Sequence, residues 1–488
     1  MFSPPEPEAV PDAPSAAALR SLLGDMEAAL GTRVCTVGGY VRDLVMGRPA
    51  DADVDLVVER VPAETAANWL RQRWHRREPV VAFERYGTAQ ISFLLAGGER
   101  FTVEFVRARS EAYSRESRKP TVRAGTMEED AIRRDFTINT LLLDSTGMVS
   151  DPTGRGLDDL RAGLLRTPLD PLLTFDEDPL RMFRAARFAS QLGFALEPGV
   201  EAAMAQAGAR IEIVSKERIR DELVKLLLGE APSTGLRLLL RSGLLAKTVP
   251  ELARLSGVEQ GGYHPDDVFE HTVLAVDLAC KDKLVRLAVL FHDIGKPPTA
   301  QPSPQGPTFL RHQQVGAEIS REVMRRLRFS GTEIDQVARL VELHMRPIQY
   351  GREWADSAVR RLWHDAGALA PQLLELARAD TRSSTYPGTE ELDELARRMA
   401  ALARENPRGI RPPLGGDQLK AHFRLGDGPW IGRAQRLLLE AMVEGRLGAD
   451  DGSPEELALL LLEAERRSWQ PRPSEPGRSP EDAGPPPR

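Results

Sequence analysis

Asp53 and Asp55 alternate at the head of the run "DVDLVV", and alternate residues of a strand share one face. Two carboxylates on one face repel unless a cation sits between them. Mg2+ suits such a pair, because it takes oxygen ligands, keeps several waters and bridges to substrate phosphates. Two-ion phosphoryl transfer usually draws a third carboxylate from a neighbouring strand, and Glu104 in "FTVEFVR" is the best candidate. One ion would activate an attacking hydroxyl while the other clamps a triphosphate. Standing alone, the aspartates read as a polar loop ahead of a strand. Upstream, Gly38-Gly39 falls between a strand and a helix, where backbone N–H groups can approach a phosphate; by itself such a pair is a simple turn.

A second group draws attention by its scarcity elsewhere. The chain has eight histidines, and five of them, His264, His271, His292, His312 and His344, crowd one helical stretch. A lone buried histidine is usually structural. This clustering favours a metal site.

The elements that must position these residues change character along the chain. "RVCTVGG" reads as a short buried strand and turn, "YVRDLVMG" as a helix stopped by Gly47, and "DVDLVVE" as a second strand. "TAQISFLL" and "RFTVEFV" are two more strands, joined through residues 96–99 in a hairpin-like loop. Helices are expected over 16–31 and 62–74. Beyond residue 150 the apolar residues recur at helical spacing to about residue 465. The expected fold is an α/β head with a small mixed sheet, followed by all-α regions. The expected divisions are a disordered leader (1–15), a head (16–150), a helical neck (151–255), a further helical domain (256–390), a helical tail (391–465) and a disordered proline-rich end (466–488).

Composition sets the outer limits. With 488 residues, 41% of them apolar and 28% charged, the chain reads as a soluble protein of two to four domains. The net charge of −7 argues against a generally basic nucleic-acid binder but permits a local basic groove. No apolar run approaches the roughly 18 residues of a membrane span, and "MFSPPEPEAVPDAPS" lacks the features of a signal peptide. Cys35 and Cys280 lie far apart without metal-type spacing, which fits a reducing cytoplasm.

"VGGYVRDLVMGRPADADVDLVV" resembles the head signature of the class II tRNA nucleotidyltransferases and bacterial poly(A) polymerases: Gly38-Gly39, then Arg42-Asp43, then Asp53-x-Asp55. Asp51 adds a third acid and competes for the register; Leu-Val-Val directly after Asp55 favours Asp53 and Asp55. "EEDAIRRDFTINTLLLD" is similar to the family's next motif through Arg133, Arg134, Asp135 and Asn139. A carboxylate and an amide can grip ribose hydroxyls there while arginine takes phosphate; the stretch also reads as a charged helix face or an amphipathic strand. "FDEDPLRMFRAARF" resembles the nucleotide-selecting motif, with Glu177, Asp178 and Arg181. On a helix Asp178 and Arg181 would share a face. The carboxylate would accept from the amino group of cytosine or adenine and the arginine would donate to the ring acceptors beside it, so uracil and guanine would be refused. Arg184 and Arg187 continue at three-residue steps and would line a phosphate path; alone, the stretch reads as a helix laced with ion pairs. "SKERIRDELVKLLLG" matches a further family helix, in which Glu217 and Arg218 would hold the preceding one in place. "SEAYSRESRKPTVRAG" resembles the flexible loop after the catalytic strands, and reads equally as a solvated surface loop.

The histidine-rich stretch, with "HDIGKP" at 292–297, resembles the HD superfamily of metal-dependent phosphohydrolases. That resemblance implies His271, His292, Asp293 and Asp380 as ligands, with His312 and His344 available for a second metal or a phosphate. Mixed histidine and aspartate ligands suit Mn2+, Ni2+, Co2+ or Fe2+ better than Mg2+, and water activated by the metal would be the nucleophile. Cyclic phosphodiesterase, phosphatase and 2′-nucleotidase activities are implied for such a domain, although some copies serve only as RNA-binding modules. The glycines and basic residues of 414–447 suit tRNA contact, and helix packing explains them as well. Taken together, the resemblance implies template-independent CCA addition to tRNA from CTP and ATP, with Mg2+ at Asp53 and Asp55. The alternatives are poly(A) synthesis, CC-only or A-only addition, or HD phosphohydrolysis as the main activity.

Overall fold

The computed structural model describes residues 16–49, 53–83, 87–94, 100–112, 121–261, 266–304, 306–385, 388–406, 409–447, 453–465 and 469. Asp51, His264, the leader 1–15, the loop 96–99 and the end of the chain apart from Trp469 lie outside the described residues. Two compact units are present. One takes in the chain up to Val258 together with Glu322–Ser330, the other Glu259–Arg321 and the chain from Gly331.

The first unit opens with α1 (Ala16–Leu30), β1 (Val34–Val37), α2 (Gly39–Val45), β2 (Asp53–Val58) and α3 (Ala63–Arg73). Next come β3 (Val81–Phe83), β4 (Thr88–Leu94), β5 (Arg100–Arg107), β6 (Arg109–Ala112), β7 (Thr121–Ala124), α4 (Met127–Ile132), β8 (Leu142–Leu143) and β9 (Val149–Ser150). Seven strands form one mixed sheet in the order β3-β4-β5-β2-β1-β8-β9. β2 and β5 run parallel, with Asp55 opposite Glu104, and the remaining pairs are antiparallel.

Alternation decides the two faces. Ala89, Ile91, Phe93, Phe101, Val103 and Phe105 are buried, while Thr88, Gln90, Ser92, Thr102 and Glu104, at the alternate positions, retain solvent contact. The apolar face is covered by α3, whose end brings Trp74 edge-on to Phe93 at 5.2 Å. Each such buried aromatic contributes roughly 1.5–3 kcal/mol. β6 and β7 pair with each other apart from the main sheet. The flanks of the expected flexible loop are therefore a two-stranded ribbon; residues 113–120 lie outside the described residues.

Helices α5 (Gly156–Ala162), α6 (Pro171–Glu177), α7 (Leu180–Leu192), α8 (Val200–Ala207) and α9 (Lys216–Leu227) follow. Asp170 caps α6 through the Leu172 and Leu173 amides, with Pro171 in the first turn, and Ser215 caps α9. α7 stops at Gly193 in the left-handed conformation. It lays Phe183 and Phe188 against the core, where Phe188 meets Phe136 edge-on at 5.8 Å.

The second unit is helical. Helices over Val268–Leu278, Lys283–Phe291, Gly331–Leu343 and Ala370–Arg382 carry or end at His271, His292, His344 and Asp380, and His312 opens the helix His312–Arg326. Its last part packs around Trp430, Phe423, Leu438, Leu462 and Trp469. Trp469 falls in the stretch expected to lack structure, yet its indole is buried and its Nε1 donates to the Leu462 carbonyl at 2.8 Å. The large aromatic ring outweighs the polar sequence around it. Among the described residues no helix is long and apolar enough to cross a membrane.

Candidate functional site

A cavity of about 640 Å3 opens on the first unit, lined among others by Gly38, Gly39, Arg42, Asp53, Asp55, Arg134, Asp135, Asn139, Asp178, Arg181, Arg184 and Arg187. Gly38 is what lets it form. Its φ is +82°, and a Cβ there would lie 3.0 Å from Asp55 Oδ2 and 3.1 Å from Arg134 Nη1. Asp55 lies 3.6 Å from Arg134 Nη1. Glu104, opposite Asp55, keeps an exposed side chain. Its pKa is nevertheless raised, first because the strands around the carboxylate displace part of its water, then because Asp55 lies beside it. Asp53, Asp55 and Glu104 thus share one face, a donor set suited to a hard cation. Among the described residues, the groups of three ligand atoms within 4.8 Å of one another lie elsewhere, in the second unit.

Behind these acids runs a buried polar network. Arg42 grips Asp43 with two bonds, at 2.9 and 2.8 Å, and donates to Asn139 Oδ1 at 3.1 Å. Asn139 donates to Asp135 at 3.0 Å, and Asp135 accepts from Arg184 Nε at 2.5 Å. Burial by itself would raise the Asp135 pKa, but Arg184 and Asn139 hold it well below the usual carboxylate range. Arg187 donates to Glu222 Oε2 at 2.6 Å, and its guanidinium sits 4.1 Å from the centre of the Phe188 ring. Desolvation and the neighbouring Arg184 lower its pKa to about 10. So Arg42 and Asp43 satisfy one another, and Arg187 is tied to α9 rather than left free for phosphate. Glu217 is exposed, and the acid on α9 that holds α7 is Glu222. Sequence reading passed over Glu222 and Phe188. The signal was present in the three- and four-residue spacing of Glu222 from Arg218 and Ile219, which turns it toward α7.

Asp178 and Arg181 do not lie on one helix. Pro179 pushes the residue before it out of helical conformation, so Asp178 has φ −135° and ψ 98° and separates α6 from α7. Its Oδ1 accepts from the Leu180 amide at 3.2 Å, and its Oδ2 from Arg218 at 2.9 Å. Arg181 donates to Glu177 at 2.9 Å, to the Thr174 carbonyl at 3.1 Å and to the Arg133 carbonyl at 2.6 Å. Asp178 and Arg181 still line the same cavity; Glu177 and the Arg133 side chain are not among its lining residues. The "EEDAIRRDFTIN" stretch is neither strand nor extended helix face. Glu129 closes a capping box with Thr126 on the short α4, and Thr137–Asn139 form a single 3-10 turn.

In the second unit His271, His292, Asp293, His312, His344 and Asp380 converge, all buried. His271 Nε2 lies 3.0 Å from Asp380 and 3.8 Å from Asp293. His292 Nε2 lies 3.1 Å from Asp293 and 3.7 Å from Asp380, and His312 Nε2 lies 3.5 Å from Asp293. Outer partners fix the rings. His292, His312 and His344 each place Nδ1 at 2.7–2.8 Å from the carbonyl three residues earlier, and His271 Nδ1 meets the Ser383 hydroxyl at 3.1 Å. Each of those three Nδ1 atoms therefore carries a hydrogen, and every Nε2 faces the centre. His292 Nε2 and Asp293 Oδ2 are buried without a well-directed hydrogen bond. That donor set fits a metal ion. Burial would lower the His292 pKa, but Asp293 and Asp380 outweigh it and raise it to about 9. Burial, with His292 and His312 nearby, lowers that of His344 to about 3. Gly295 makes the convergence possible: a Cβ there would come 2.1 Å from the His312 carbonyl. Lys296, part of "HDIGKP" but given no role from the sequence, stands 2.6 Å from Asp293 Oδ2 and donates to Gln260 at 2.6 Å. His264 lies outside the described residues.

Comparison with known proteins agrees along the chain. Residues 34–166 match the Poly A polymerase head domain, 193–255 the probable RNA and SrmB-binding site of polymerase A, and 262–402 the HD domain. The A-adding tRNA nucleotidyltransferase of Deinococcus radiodurans is 34% identical, covering 84% of this chain and 92% of its own. The CC-adding tRNA nucleotidyltransferase of Thermus thermophilus is 35% identical over 85% and 91%. The fold resembles that of the Bacillus stearothermophilus CCA-adding enzyme solved with CTP, with a TM-score of 0.66 at 23% identity over 93% of this chain and 98% of that one.

Proposed function

The chain belongs to the class II tRNA nucleotidyltransferases and bacterial poly(A) polymerases and is a nucleotidyltransferase, and from that premise we propose that it adds C, C and A to tRNA 3′ ends without a template. One observation carries the reading: Asp53 and Asp55 line the same cavity as Asp178 and Arg181. A phosphate-transfer end and a base-reading end are thereby within reach of one nucleotide. The RNA 3′ oxygen would bond to the α-phosphorus of CTP or ATP, the α–β bridge would break, and pyrophosphate would leave. Asp53 and Asp55, with Glu104, would hold Mg2+, which when bound neutralises phosphate charge and makes the hydroxyl a better nucleophile. Arg134 and Arg184 bring positive charge to the cavity wall, and Asp178 offers an acceptor to the amino group of cytosine or adenine. The two cysteines, both free, fit a reducing cytoplasm.

A narrower reading has a specific support. Two relatives matched over more than four fifths of the chain are an A-adding and a CC-adding enzyme, so addition of A alone, or of C and C alone, is the main alternative; poly(A) synthesis is the other. Purified protein is to be incubated with tRNA ending before CCA, at C, and at CC, each with CTP, ATP or both. Full CCA on the shortest tRNA supports the proposal. A only on the CC end, CC only, or long A tails identifies one of the alternatives, and no extension in any lane overturns the assignment.

The second unit would act as a phosphohydrolase, with His271, His292, Asp293 and Asp380 holding Mn2+, Ni2+, Co2+ or Fe2+, and His312 and His344 a second ion. The ion supplies Lewis-acid activation of water. Asp293→Ala should abolish hydrolysis of a 2′,3′-cyclic nucleotide while leaving extension intact. No hydrolysis by the native chain with any of these metals would make the site structural.

A further inference from the structure

The register of the sheet continues the catalytic face well beyond the acids. Asp55 stands opposite Glu104, Glu104 opposite Gln90, and Gln90 opposite Val81. In the rows beside it, Asp53 faces Thr102 and Thr102 faces Ser92, while Val106 faces Thr88 and Thr88 faces Phe83. All these side chains lie on one face, because partners directly across a ladder point the same way. The opposite face is closed by the aromatic packing under α3. Among the described residues this one stays open: Val81 is 49% exposed, Phe83 46% and Leu94 63%. Between them and the acids run neutral hydrogen-bonding groups. Gln90 donates to Ser92 at 3.1 Å, and Ser92 meets Thr102 at 3.1 Å. Arg100, opposite Leu94, lines the nucleotide cavity as well.

Strand order gives this face a direction. Most of the nucleotide cavity's lining, the glycines after β1 and Arg134, Asp135 and Asn139 ahead of β8, lies on the β1 side of β2, with Arg100 marking its β5 end, whereas β4 and β3 extend beyond it. Phosphoryl transfer places attacking and leaving oxygens roughly in line. A triphosphate held on the β1 side therefore leaves the β5 side for the attacking hydroxyl and for whatever chain that hydroxyl ends.

We propose that the open face from Glu104 through Gln90 to Val81 and Phe83 is a track for the single-stranded 3′ end of the RNA, with Phe83 as a stacking platform for a base and Arg100 as a phosphate contact. It rests on the reading of an RNA 3′ end as the substrate. Three strand spacings separate Asp55 from Val81, about 14 Å, which accommodates a few nucleotides. Exposed aromatics on a sheet face are a general way to stack bases without reading sequence. The hydroxyls of Thr88, Ser92 and Thr102 and the Gln90 amide suit ribose hydroxyls, and a carboxylate occurs in these rows only beside the reacting centre.

The test uses the full chain and two readouts. In extension assays Phe83→Ala should raise the KM for tRNA about tenfold, the size of losing one stacked base. The KM for CTP should stay within twofold, and Phe83→Trp should restore the tRNA value. In binding, anisotropy of a labelled single-stranded hexaribonucleotide should show the same weakening without any reaction. Unchanged RNA binding in both Phe83→Ala and the Phe83→Ala/Arg100→Ala double variant would overturn the track. A shift in sedimentation with unchanged RNA binding would overturn it too, by making this edge a protein interface. If the native chain extends no tRNA, the assignment of function fails, and the oligonucleotide arm still decides the track.

Discussion

The Nε2 atoms of His312 and His344 stand 3.2 Å apart. Each ring already donates from Nδ1 to a main-chain carbonyl, so in the neutral tautomers both facing atoms are lone pairs. Such a contact is relieved by a shared cation. With Asp293 completing the group, Mn2+, Co2+ or Ni2+ should bind the folded chain and raise its Tm. At a hundred times Kd the stabilisation is about 2.7 kcal/mol, a rise of a few degrees in differential scanning fluorimetry. EDTA should reverse the shift and Asp293→Ala should remove it; a Tm indifferent to all three ions would mean that no such site forms.

Glu222 is the joint between α9 and α7. It receives Arg187 at 2.6 Å and lies 3.7 Å from Arg184, with its side chain 7% exposed. Removing one partner of a buried pair leaves uncompensated charge. Glu222→Ala should cost about 3–5 kcal/mol in urea unfolding, whereas Glu217→Ala, on the exposed side of the same helix, should change stability by less than about 0.5 kcal/mol. Equal effects would contradict the assignment of the joint.

Arg181, proposed above to read the nucleotide, is held by Glu177 and by the Thr174 and Arg133 carbonyls. Arg181→Ala should relax discrimination against UTP and GTP by about 1–3 kcal/mol, read as ratios of kcat/KM. Glu177→Gln should loosen discrimination less, because the two carbonyl acceptors remain. Unchanged ratios in Arg181→Ala would remove this account of base choice.

Asp53 is exposed at the start of β2, so Asp53→Ala should leave the Tm nearly unchanged. If Asp53 holds the proposed Mg2+, whose charge stabilisation is worth several kcal/mol, extension should fall about a thousandfold. Near-native activity in Asp53→Ala or Asp55→Ala would shift the register of the acidic stretch.

Cys35 is buried on β1, and that burial pushes its thiol up to about 12, whereas an unfolded thiol titrates near 8.5, roughly. The unfolded chain therefore loses this proton first. The thiol's contribution to stability is complete below about pH 8.5 and disappears as pH rises toward 12. Iodoacetamide at pH 8 should modify the exposed Cys280 promptly and Cys35 only on unfolding. Equal rates at both thiols in the folded chain would disprove the burial.

Local chemistry was legible where it follows from spacing of two, three or four residues. The alternation of Asp53 and Asp55 gave them a common face, Gly38-Gly39 marked a turn where backbone N–H groups can approach a phosphate, and the crowding of histidines announced a metal-type cluster. Motif order also revealed the family. What the sequence could not supply was partnership across distance. Glu222 with Arg187, Arg42 with Asn139, and Arg184 with Asp135 are chosen by packing, because desolvation forces each buried charge to the partner that burial brings nearest. Pro179 shows the limit within a single motif: three-residue spacing puts Asp178 and Arg181 on one helix only if the backbone allows a helix, and the proline forbids it. The open face from Asp55 to Phe83 is likewise a product of strand order, since adjacency in a sheet depends on which strands pair and not on their distance along the chain.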